Sequence, residues 1–386
     1  MRVITTDTTI YVSFPSDIAG RDAQVALPAG ESFLVTDWMA QGIHTTKLGK
    51  HIATDVKWNP EGKPYRGQDL EGKKLHVIRT GGFGDLLFIT PLIKHLSLKY
   101  GCEITFSTLI KHMSALRGNP YLKNIFPLPT PMKVIDQADY VLHFEGTIEG
   151  SKDPDLHAVD IFAKRAGLEL DDSEKLPVFR LPSKARQFGK AFLRDRLKIV
   201  RRKKKIAIQA KSSSMIRNYP AHLLAEVCRG LANEGFEIVM LGGERQFPRE
   251  CEDIRKVHNL CGRMKSIIQS IGVMSQCDCL IAPDSSLVHF AAAIDLPTVA
   301  LYGPFPGKIR TAYYKHCVTL EPVTQDHTEP CVMMPCMIHS SQPCPKARER
   351  KLNYSPCFEH LEPSRVIAAV KQQFLKKKER GRSYVR

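Results

Sequence analysis

The sequence predicts an α/β protein with two Rossmann-like domains and a small β-rich region in front of them. Strand-like apolar runs alternate with helical patterns, and the alternation restarts after a basic run at residues 201–205. Continuous apolar strands are typical of parallel sheets that are covered on both faces. A chain of 386 residues has room for two such domains. The predicted regions are a β-rich N-terminal extension (1–72), a first Rossmann-like domain (73–185), a second one (186–360), and a C-terminal helix with a basic tail (361–386).

Short apolar runs and their turn signals place the individual elements. In the N-terminal extension, three strands are predicted at 9–14, 23–27 and 31–36, followed by a linker rich in Gly and Pro at 59–64. In the first domain, strands are predicted at 75–79, 103–107 and 140–144, helices at 91–99 and 159–166, and a polar crossing at 171–186. In the second domain, strands are predicted at 206–210, 236–241, 279–282 and 298–302, and helices at 221–233, 266–275 and 287–294.

The composition is that of a folded protein with a strong basic excess. Hydrophobic residues make up 43% of the chain and charged residues 25%, and the formal net charge is +16. This charge favours anionic partners such as a membrane surface, a phosphorylated glycolipid or nucleic acid, although a solvated basic surface is the alternative. No apolar run reaches the roughly 18 residues that span a bilayer, and no secretory signal opens the chain. We therefore expect a cytoplasmic protein, with peripheral contact at the inner membrane left open.

The most informative segment is the glycine-rich turn TGGFGD at 80–85, which follows a predicted strand and opens a helix. Glycines such as Gly82 and Gly84 let the backbone approach a ligand closely, and a helix N-terminus attracts anions. The spacing matches neither the dinucleotide fingerprint nor a Walker loop. Two interpretations stand: a ligand-binding loop in which Asp85 has a chemical role, or a tight turn in which Asp85 complements the helix dipole.

Three loops of the second domain are predicted to follow the carboxyl ends of parallel strands, where ligands of such sheets gather. Their polar residues suit a nucleotide and its phosphates, while helix caps, a surface acid and a buried histidine are the structural alternatives. The candidates are Ser212, Ser213 and Arg217 for phosphate, Glu244 for a ribose with Gly243 before it in the same nucleotide-sugar site, and Asp284, Ser285, Ser286 and His289 around the nucleotide.

Eleven cysteines are many for a cytoplasmic protein, and four of them crowd into one Pro-rich segment. Their spacing, C-x4-C-x7-C-x12-C, is looser than standard zinc patterns, so a zinc or iron site competes with free thiols or a disulfide. The four candidate ligands are Cys331, Cys336, Cys344 and Cys357.

Taken in order, these motifs resemble glycosyltransferase family 9, the ADP-heptose lipopolysaccharide heptosyltransferases. The matching runs are RTGGFGD (79–85) with a helix start at Thr90-Pro91, NPY (119–121), RNYP (217–220), DSSLVHFAAA (284–293) and LPTVALYGP (296–304). The resemblance covers roughly residues 75 to 370. It implies a GT-B fold, in which two Rossmann-like domains face each other across a cleft, and a metal-independent, inverting sugar transfer.

The resemblance also implies roles for the candidate residues. Asp85 would accept the proton of the acceptor hydroxyl, and Arg217 with Ser212 and Ser213 would bind the diphosphate of the donor. Asp284, Ser285 and Ser286 would close around the nucleotide, with His289 as support. Arg217, Tyr219 and Ser286 depart from the usual Lys, Trp and Gly of the family.

The donor implied is a nucleotide-diphosphate sugar, most of all ADP-heptose. The acceptor implied is a lipopolysaccharide core or a related surface glycan first, and a protein hydroxyl second. An N-terminal β-rich region together with a cysteine-bearing segment is similar to the autotransporter heptosyltransferases, which glycosylate proteins and carry iron. Two rival hypotheses are a glycosyltransferase that acts on modified DNA bases and a non-catalytic module that binds sugar nucleotides or nucleic acid.

Overall fold

The computed structural model describes residues 1–18, 20–153, 155–199, 203–322 and 344–383. The chain divides into two compact units. Unit 1 comprises Met1–Asp153 with Ala158–Arg180, and unit 2 comprises Pro154–His157 with Leu181–Arg386. Within the described residues, every helix is too short or too polar to cross a membrane.

Unit 1 combines ten strands and four helices over its described residues. Its strands are β1 (Arg2–Thr6), β2 (Ile10–Pro15), β3 (Asp22–Leu27), β4 (Ser32–Val35), β5 (Ile52–Lys57), β6 (Lys74–Ile78), β7 (Glu103–Leu109), β8 (Asn124–Leu128), β9 (Thr130–Pro131) and β10 (Tyr140–His143). Its helices are α1 (Asp37–His44), α2 (Phe83–Tyr100), α3 (Met132–Asp136) and α4 (Ala158–Arg165).

The strands of unit 1 form a parallel sheet, an antiparallel sheet and a hairpin. The parallel sheet has the order β10-β6-β7-β8, with β6 and β7 joined through α2. The antiparallel sheet has the order β5-β1-β4-β9, and β2 pairs with β3. One apolar core joins the N-terminal strands to the parallel sheet, because Ile4 and Leu34 pack in the same cluster as Ile78 and Val141. Residues 1–72 thus fold as part of unit 1.

Helix α2 begins at Phe83, eight residues before the start predicted at Pro91. Pro91 lies inside the helix, where its missing N–H leaves the carbonyl of Leu87 without its usual donor. The hydroxyl of Thr90 donates to that carbonyl at 2.6 Å and replaces the lost bond. The prediction of a helix start at Thr90-Pro91 was therefore wrong, because a neighbouring hydroxyl compensates for the proline.

Unit 2 is built on one fully parallel, six-stranded sheet. Its strands are β11 (Lys205–Gln209), β12 (Glu237–Leu241), β13 (Val257–Asn259), β14 (Cys279–Pro283), β15 (Thr298–Leu301) and β16 (Cys317–Leu320). Its helices are α5 (Ser183–Ala191), α6 (Ala221–Asn233), α7 (Ile267–Met274), α8 (Ser286–Ala293), α9 (Lys308–Thr311), α10 (Pro345–Glu349) and α11 (Pro363–Ser383). The strand order β13-β12-β11-β14-β15-β16 is that of the Rossmann fold.

The segment predicted as a polar crossing at 171–186 contains the start of a helix, α5, so the predicted boundary between residues 185 and 186 lies inside that helix. Helix α5 packs against α7 through two glycines. A Cβ on Gly189 would overlap the carbonyl of Gly272, and a Cβ on Gly272 would overlap the carbonyl of Ala185. Since backbone meets backbone here, α5 needs few apolar side chains, and the pattern of its sequence consequently looks polar.

Candidate active site

Each unit has a topological switch point, where chain connections leave one strand in opposite directions. In unit 1 it lies between β6 and β10, and in unit 2 it lies between β11 and β14. Ligands of open α/β sheets bind beyond the carboxyl ends of strands at such points. The residues that follow β6 and β10 in unit 1, and β11 and β14 in unit 2, are therefore the natural place for a site.

Asp85 lies in the first turn of α2, at the switch point of unit 1. Its Oδ2 accepts a hydrogen bond from the Gly82 N–H at 2.9 Å and lies 3.4 Å from Nη2 of Arg79. Its side chain is 30% exposed. Oδ1 has no hydrogen-bond partner among the residues that the structure describes. One oxygen of Asp85 is thus fixed by the protein, and the other has no hydrogen bond to the described residues.

Arg79 follows β6 and is buried, with 2% of its surface exposed. Its guanidinium donates from Nη1 to the Phe144 carbonyl at 3.0 Å and from Nη2 to Glu149 at 2.9 Å. It also lies 5.8 Å from the centre of the Phe162 ring. The pKa of Arg79 is raised because hydrogen bonding to Glu149 and the nearby charges of Asp85 and Glu149 outweigh the opposing cost of burial. Arg79 therefore remains a fixed cation beside Asp85.

Glu145 fixes the beginning of the glycine-rich turn. It follows β10, and its carboxylate accepts hydrogen bonds from both the N–H and the hydroxyl of Thr80, the latter at 2.6 Å. Hydrogen bonds to an ionised acceptor are stronger than neutral ones. The turn is consequently held at one end by Glu145 and at the other by Asp85.

Gly81 is the glycine that the site requires for space. A Cβ at this position would lie 2.6 Å from Nε of Arg79 and closer still to Oδ2 of Asp85. At Gly82 the nearest atom, Oδ2 of Asp85, would be 3.9 Å from a Cβ, which is ordinary contact. Gly82 is the N-cap of α2 and Gly84 is the second residue of that helix. The absence of a side chain thus matters most at Gly81.

His112 is a further polar residue beside the turn. Its ring meets that of Phe83 edge-on, with 4.9 Å between centroids. Burial lowers the pKa of His112 to about 4, against the opposing effect of backbone groups of Gly81 and Thr80. His112 is therefore neutral at physiological pH.

In unit 2, Arg217 and Asp284 form a buried ion pair at the switch point. Nη1 of Arg217 lies 3.4 Å from Oδ2 of Asp284, and the exposed fractions of the two residues are 9% and 5%. Nη2 of Arg217 donates to the Ser213 hydroxyl at 2.8 Å. The structure thus brings together three of the predicted phosphate and nucleotide residues, Arg217, Ser213 and Asp284.

Ser212 and Ser285 fix the backbone around this pair. The Ser212 hydroxyl accepts from the Ser214 N–H and donates to the Ser214 carbonyl, so it shapes the loop after β11. The Ser285 hydroxyl donates to Oε1 of Gln209 at 2.5 Å and links the ends of β14 and β11 across the switch point. Ser286 begins α8 directly after Ser285.

The loop that carries Arg217 is tied to the distant end of unit 2. The hydroxyl of Tyr219 donates to the Leu361 carbonyl at 2.5 Å, and the hydroxyl of Ser355 donates to the Ile216 carbonyl at 2.7 Å. Tyr219 is buried, with its ring 6.0 Å from that of Phe358. Tyr219 thus has a structural contact inside unit 2.

His289 lies one turn inside α8 and is 3% exposed. Its Nδ1 is 2.8 Å from the Tyr314 hydroxyl. Burial lowers the pKa of His289 to about 3, so its imidazole is neutral at physiological pH. The role of His289 as support for the nucleotide site stays a prediction.

Gly243 and Glu244 follow β12 and are both exposed. The Gly243 N–H donates to Oε1 of Gln246 at 2.7 Å, which shapes the turn after the strand. The hypothesis of a ribose contact by Glu244 stays a prediction.

The cysteine segment is described only in part. Cys331 and Cys336 lie outside the described residues, while Cys344 and Cys357 are buried. Cys344 packs in an apolar cluster with Ile216 and Ala347. No group of three or more metal-binding side chains occurs in the described part of the chain, so the structure gives the predicted zinc or iron site no support.

The profile of glycosyltransferase family 9 (heptosyltransferase) matches residues 152–341. Lipopolysaccharide heptosyltransferase 2 of Salmonella typhimurium is 31% identical over 96 residues, which are 23% of this chain and 27% of that protein. The predicted resemblance to glycosyltransferase family 9 is confirmed. The part of this chain that matches spans about a quarter of the length of that curated relative.

Two solved structures are similar to this chain in fold over most of its length. A family 9 glycosyl transferase from Veillonella parvula has a TM-score of 0.62 at 17% identity and covers 80% of this chain and 99% of its own. The dodecameric, iron-containing heptosyltransferase TibC of enterotoxigenic E. coli, in complex with ADP-D-beta-D-heptose, has a TM-score of 0.57 at 12% identity. It covers 97% of this chain and 93% of its own. The predicted α/β, Rossmann-like GT-B class of fold is confirmed.

The family 9 motifs led to Asp85, Arg217 and Asp284 but missed Arg79, Glu145 and Gln209 as members of the two clusters. A signal was available for Arg79 and Gln209, since each is one of the last two residues of a predicted strand. Glu145 carries no such mark, because its role depends on β10 lying beside β6. That neighbour relation becomes visible only in the folded sheet.

Proposed function

We propose that this protein is an inverting glycosyltransferase that moves heptose from ADP-heptose to an acceptor hydroxyl, with Asp85 as the base. One observation carries the proposal. The candidate base and the candidate phosphate-binding residues each occur at the topological switch point of their own parallel sheet. The match of residues 152–341 to the heptosyltransferase family supports the same reaction class.

The acceptor side of the reaction is assigned to unit 1. Oδ1 of Asp85 accepts the proton of the acceptor hydroxyl as the oxygen forms a bond to the anomeric carbon of the sugar. The Gly82 N–H and Arg79 hold Oδ2 and so orient the carboxylate. General base catalysis of this kind contributes about 10²–10⁴-fold to the rate.

The donor side is assigned to unit 2. The bond between the anomeric carbon and the diphosphate oxygen breaks, and its electron pair stays on the leaving diphosphate. Arg217 stabilises that developing negative charge, and Ser213 and Asp284 hold the guanidinium in place. Attack on the face opposite the leaving group inverts the configuration at the anomeric carbon.

The choice of ADP-heptose is supported by the relatives. TibC was solved in complex with ADP-D-beta-D-heptose, and its fold likeness extends over 97% of this chain. A lipopolysaccharide core or related surface glycan is the first candidate acceptor, because the Salmonella relative is a lipopolysaccharide heptosyltransferase. The net charge of +16 suits a phosphorylated glycan and peripheral contact with an anionic membrane.

A protein hydroxyl is the second candidate acceptor. The TibC structure covers 97% of this chain and the Veillonella structure 80%. The difference, about 66 of 386 residues, is close to the length of the N-terminal region 1–72. Because a β-rich N-terminal region resembles the autotransporter heptosyltransferases, this observation favours a protein acceptor over DNA.

The substitution Asp85→Asn tests the catalytic assignment. The substitution Asp37→Asn is a matched control, because Asp37 also lies in the first turn of a helix but is 71% exposed. We expect Asp85→Asn to lower kcat/KM by about 10²–10⁴-fold and Asp37→Asn to leave it unchanged. The assay measures ADP release from ADP-heptose in the presence of truncated lipopolysaccharide, a Ser/Thr-rich protein or duplex DNA. Full activity of Asp85→Asn would disprove the role of Asp85, and transfer to DNA alone would replace the proposed acceptor.

A further inference from the structure

Arg310 is a buried cation that the family 9 motifs do not include. It lies in α9, the short helix that follows β15 at the carboxyl edge of the unit 2 sheet, and it is 7% exposed. The position of α9 is fixed at two points. The Gly307 N–H donates to Glu321 at 2.6 Å, and the Thr311 hydroxyl lies 2.6 Å from that of Thr319. Arg310 is therefore held at the same edge of the sheet as Asp284.

The guanidinium of Arg310 has few partners. It lies 4.4 Å from the centre of the Phe305 ring, and Nη1 donates to the Ile309 carbonyl at 3.3 Å. Across the described ranges, no carboxylate is within ion-pair distance of it. Burying a charge without a counter-charge is costly. An arginine in this setting is best explained by an anion that binds there.

The neighbours of Arg310 do not supply that anion. Pro283 and Leu301 are paired in the sheet, so Asp284 and Tyr302, the residues that follow them, are neighbours at its edge. The nearby carboxylates in the described part of the chain have other partners: Asp284 pairs with Arg217, and Glu321 accepts from the Gly307 N–H. Tyr302 and His289 lie near Asp284 and Arg310. Both are neutral, because burial raises the pKa of Tyr302 and lowers that of His289. Within the described residues, Asp284 thus pairs with Arg217, and Arg310 has no carboxylate partner of its own.

We propose that Arg310 is a second diphosphate-binding residue and acts with Arg217 on the nucleotide-sugar donor. This inference rests on the proposed function. A guanidinium presents a planar fork of N–H donors that matches phosphate oxygens. Stacking on Phe305 uses the face of the fork and leaves its edge for a ligand. With Arg310 the cluster carries one net positive charge toward the diphosphate, whereas the pair of Arg217 and Asp284 alone carries none.

The test measures binding of inorganic pyrophosphate and of ADP to the full chain by calorimetry. The variants are Arg310→Gln and Arg217→Gln, with Arg365→Gln as control, since Arg365 is a half-buried arginine that donates to the Glu321 carbonyl at 3.0 Å. We expect Arg310→Gln and Arg217→Gln each to weaken both ligands by at least about 10-fold. Adenosine affinity and the affinities of Arg365→Gln should stay within about twofold of the unsubstituted protein.

Arg310→Lys keeps the experiment decisive if Arg310→Gln does not fold. It retains the charge but loses the fork, so we expect a smaller loss of pyrophosphate affinity with an unchanged midpoint of thermal unfolding. Normal pyrophosphate and ADP affinity in both Arg310 variants would overturn the inference, while weak binding by Arg217→Gln would still support the proposed function. An unsubstituted protein that binds neither pyrophosphate nor ADP would contradict both proposals.

Discussion

The two switch points differ in charge. In unit 1, three carboxylates lie near one guanidinium, that of Arg79. Asp85 and Glu149 are within ion-pair distance of Arg79, and Glu145 binds the next residue, Thr80. In unit 2, the described residues place two buried guanidinium groups, those of Arg217 and Arg310, at the same edge of the sheet as one buried carboxylate, Asp284, which pairs with Arg217. The same position in two parallel sheets therefore carries an acidic cluster in one unit and a basic one in the other.

This difference indicates a division of roles between the units. An acidic cluster repels phosphate and provides an oxygen that can take up a proton, as Oδ1 of Asp85 can. A basic cluster does the reverse, because it attracts a diphosphate and stabilises it as it leaves. If the division holds, substitutions in unit 2 change donor affinity, and substitutions in unit 1 change turnover without changing donor affinity.

The largest effect is expected from Arg217→Gln. It removes the arginine of the buried ion pair with Asp284, so we expect a loss of about 3 kcal/mol in the free energy of unfolding, measured by urea denaturation, together with weakened ADP binding. The double variant Arg217→Gln/Asp284→Asn removes both charges and should regain most of the stability but none of the ADP affinity. Recovery of ADP affinity in the double variant would show that the pair has no part in donor binding.

A smaller, purely kinetic effect is expected from Gly81→Ala. The new Cβ would push against Asp85 and Arg79, and a displacement of about 1 Å at a catalytic group can cost about 10²-fold in rate. The adjacent Gly82→Ala is the control, because its Cβ meets only ordinary contact. We expect Gly81→Ala to lower kcat by about 10²-fold with unchanged ADP affinity, and Gly82→Ala to retain most activity. Equal losses of kcat in the two variants would show that the lack of space for a Cβ at Gly81 does not explain the effect.

The smallest effect is the pH dependence of the free energy of unfolding, to which each unit contributes through a buried histidine. Burial lowers the pKa of His76, in β6 of unit 1, to about 4 and that of His289 to about 3. The unfolded chain takes up the proton near pH 6.5, before the folded chain does, so stability is lost as the pH falls below 6.5. Each imidazole contributes a slope of about 1.4 kcal/mol per pH unit until its folded pKa is reached.

Urea denaturation at pH 7.5, 6 and 5 checks this effect. The substitution His76→Gln should flatten the pH dependence of the unfolding free energy in the window from 6.5 to about 4. His44→Gln is the control, because His44 is more than 40% exposed. An unchanged slope in His76→Gln would show that this imidazole is not held neutral in the folded protein.

The core of each parallel sheet could be predicted from the sequence, because its strands are buried on both faces. The runs at 206–210, 236–241, 279–282 and 298–302 were correctly predicted and correspond to β11, β12, β14 and β15. Strands at sheet edges were missed, among them β13 and β16, whose residues are only partly buried. Their sequences lack a continuous apolar run, since one side of the strand has no neighbour to cover it.

The chemistry of the site was predictable where it depends on a local motif. Asp85 belongs to a turn that is continuous in sequence, and Arg217 follows a strand by a short loop. Glu145 could not be found in this way, because its contact with Thr80 joins residues 65 positions apart. The same holds for Arg310, whose significance depends on the groups that surround it in the described part of the folded chain.

The loop with Arg217 is anchored by hydrogen bonds to residues 139 and 142 positions away in the chain, through Ser355 and Leu361. The shape of the proposed phosphate-binding loop is thereby coupled to residues late in the chain. Substitutions at Ser355 or around Leu361 are therefore expected to change donor affinity, although neither residue is among the proposed donor-binding residues. Transfer of the loop alone to another Rossmann-like protein would carry over its amino-acid sequence but not the hydrogen bonds that fix its conformation.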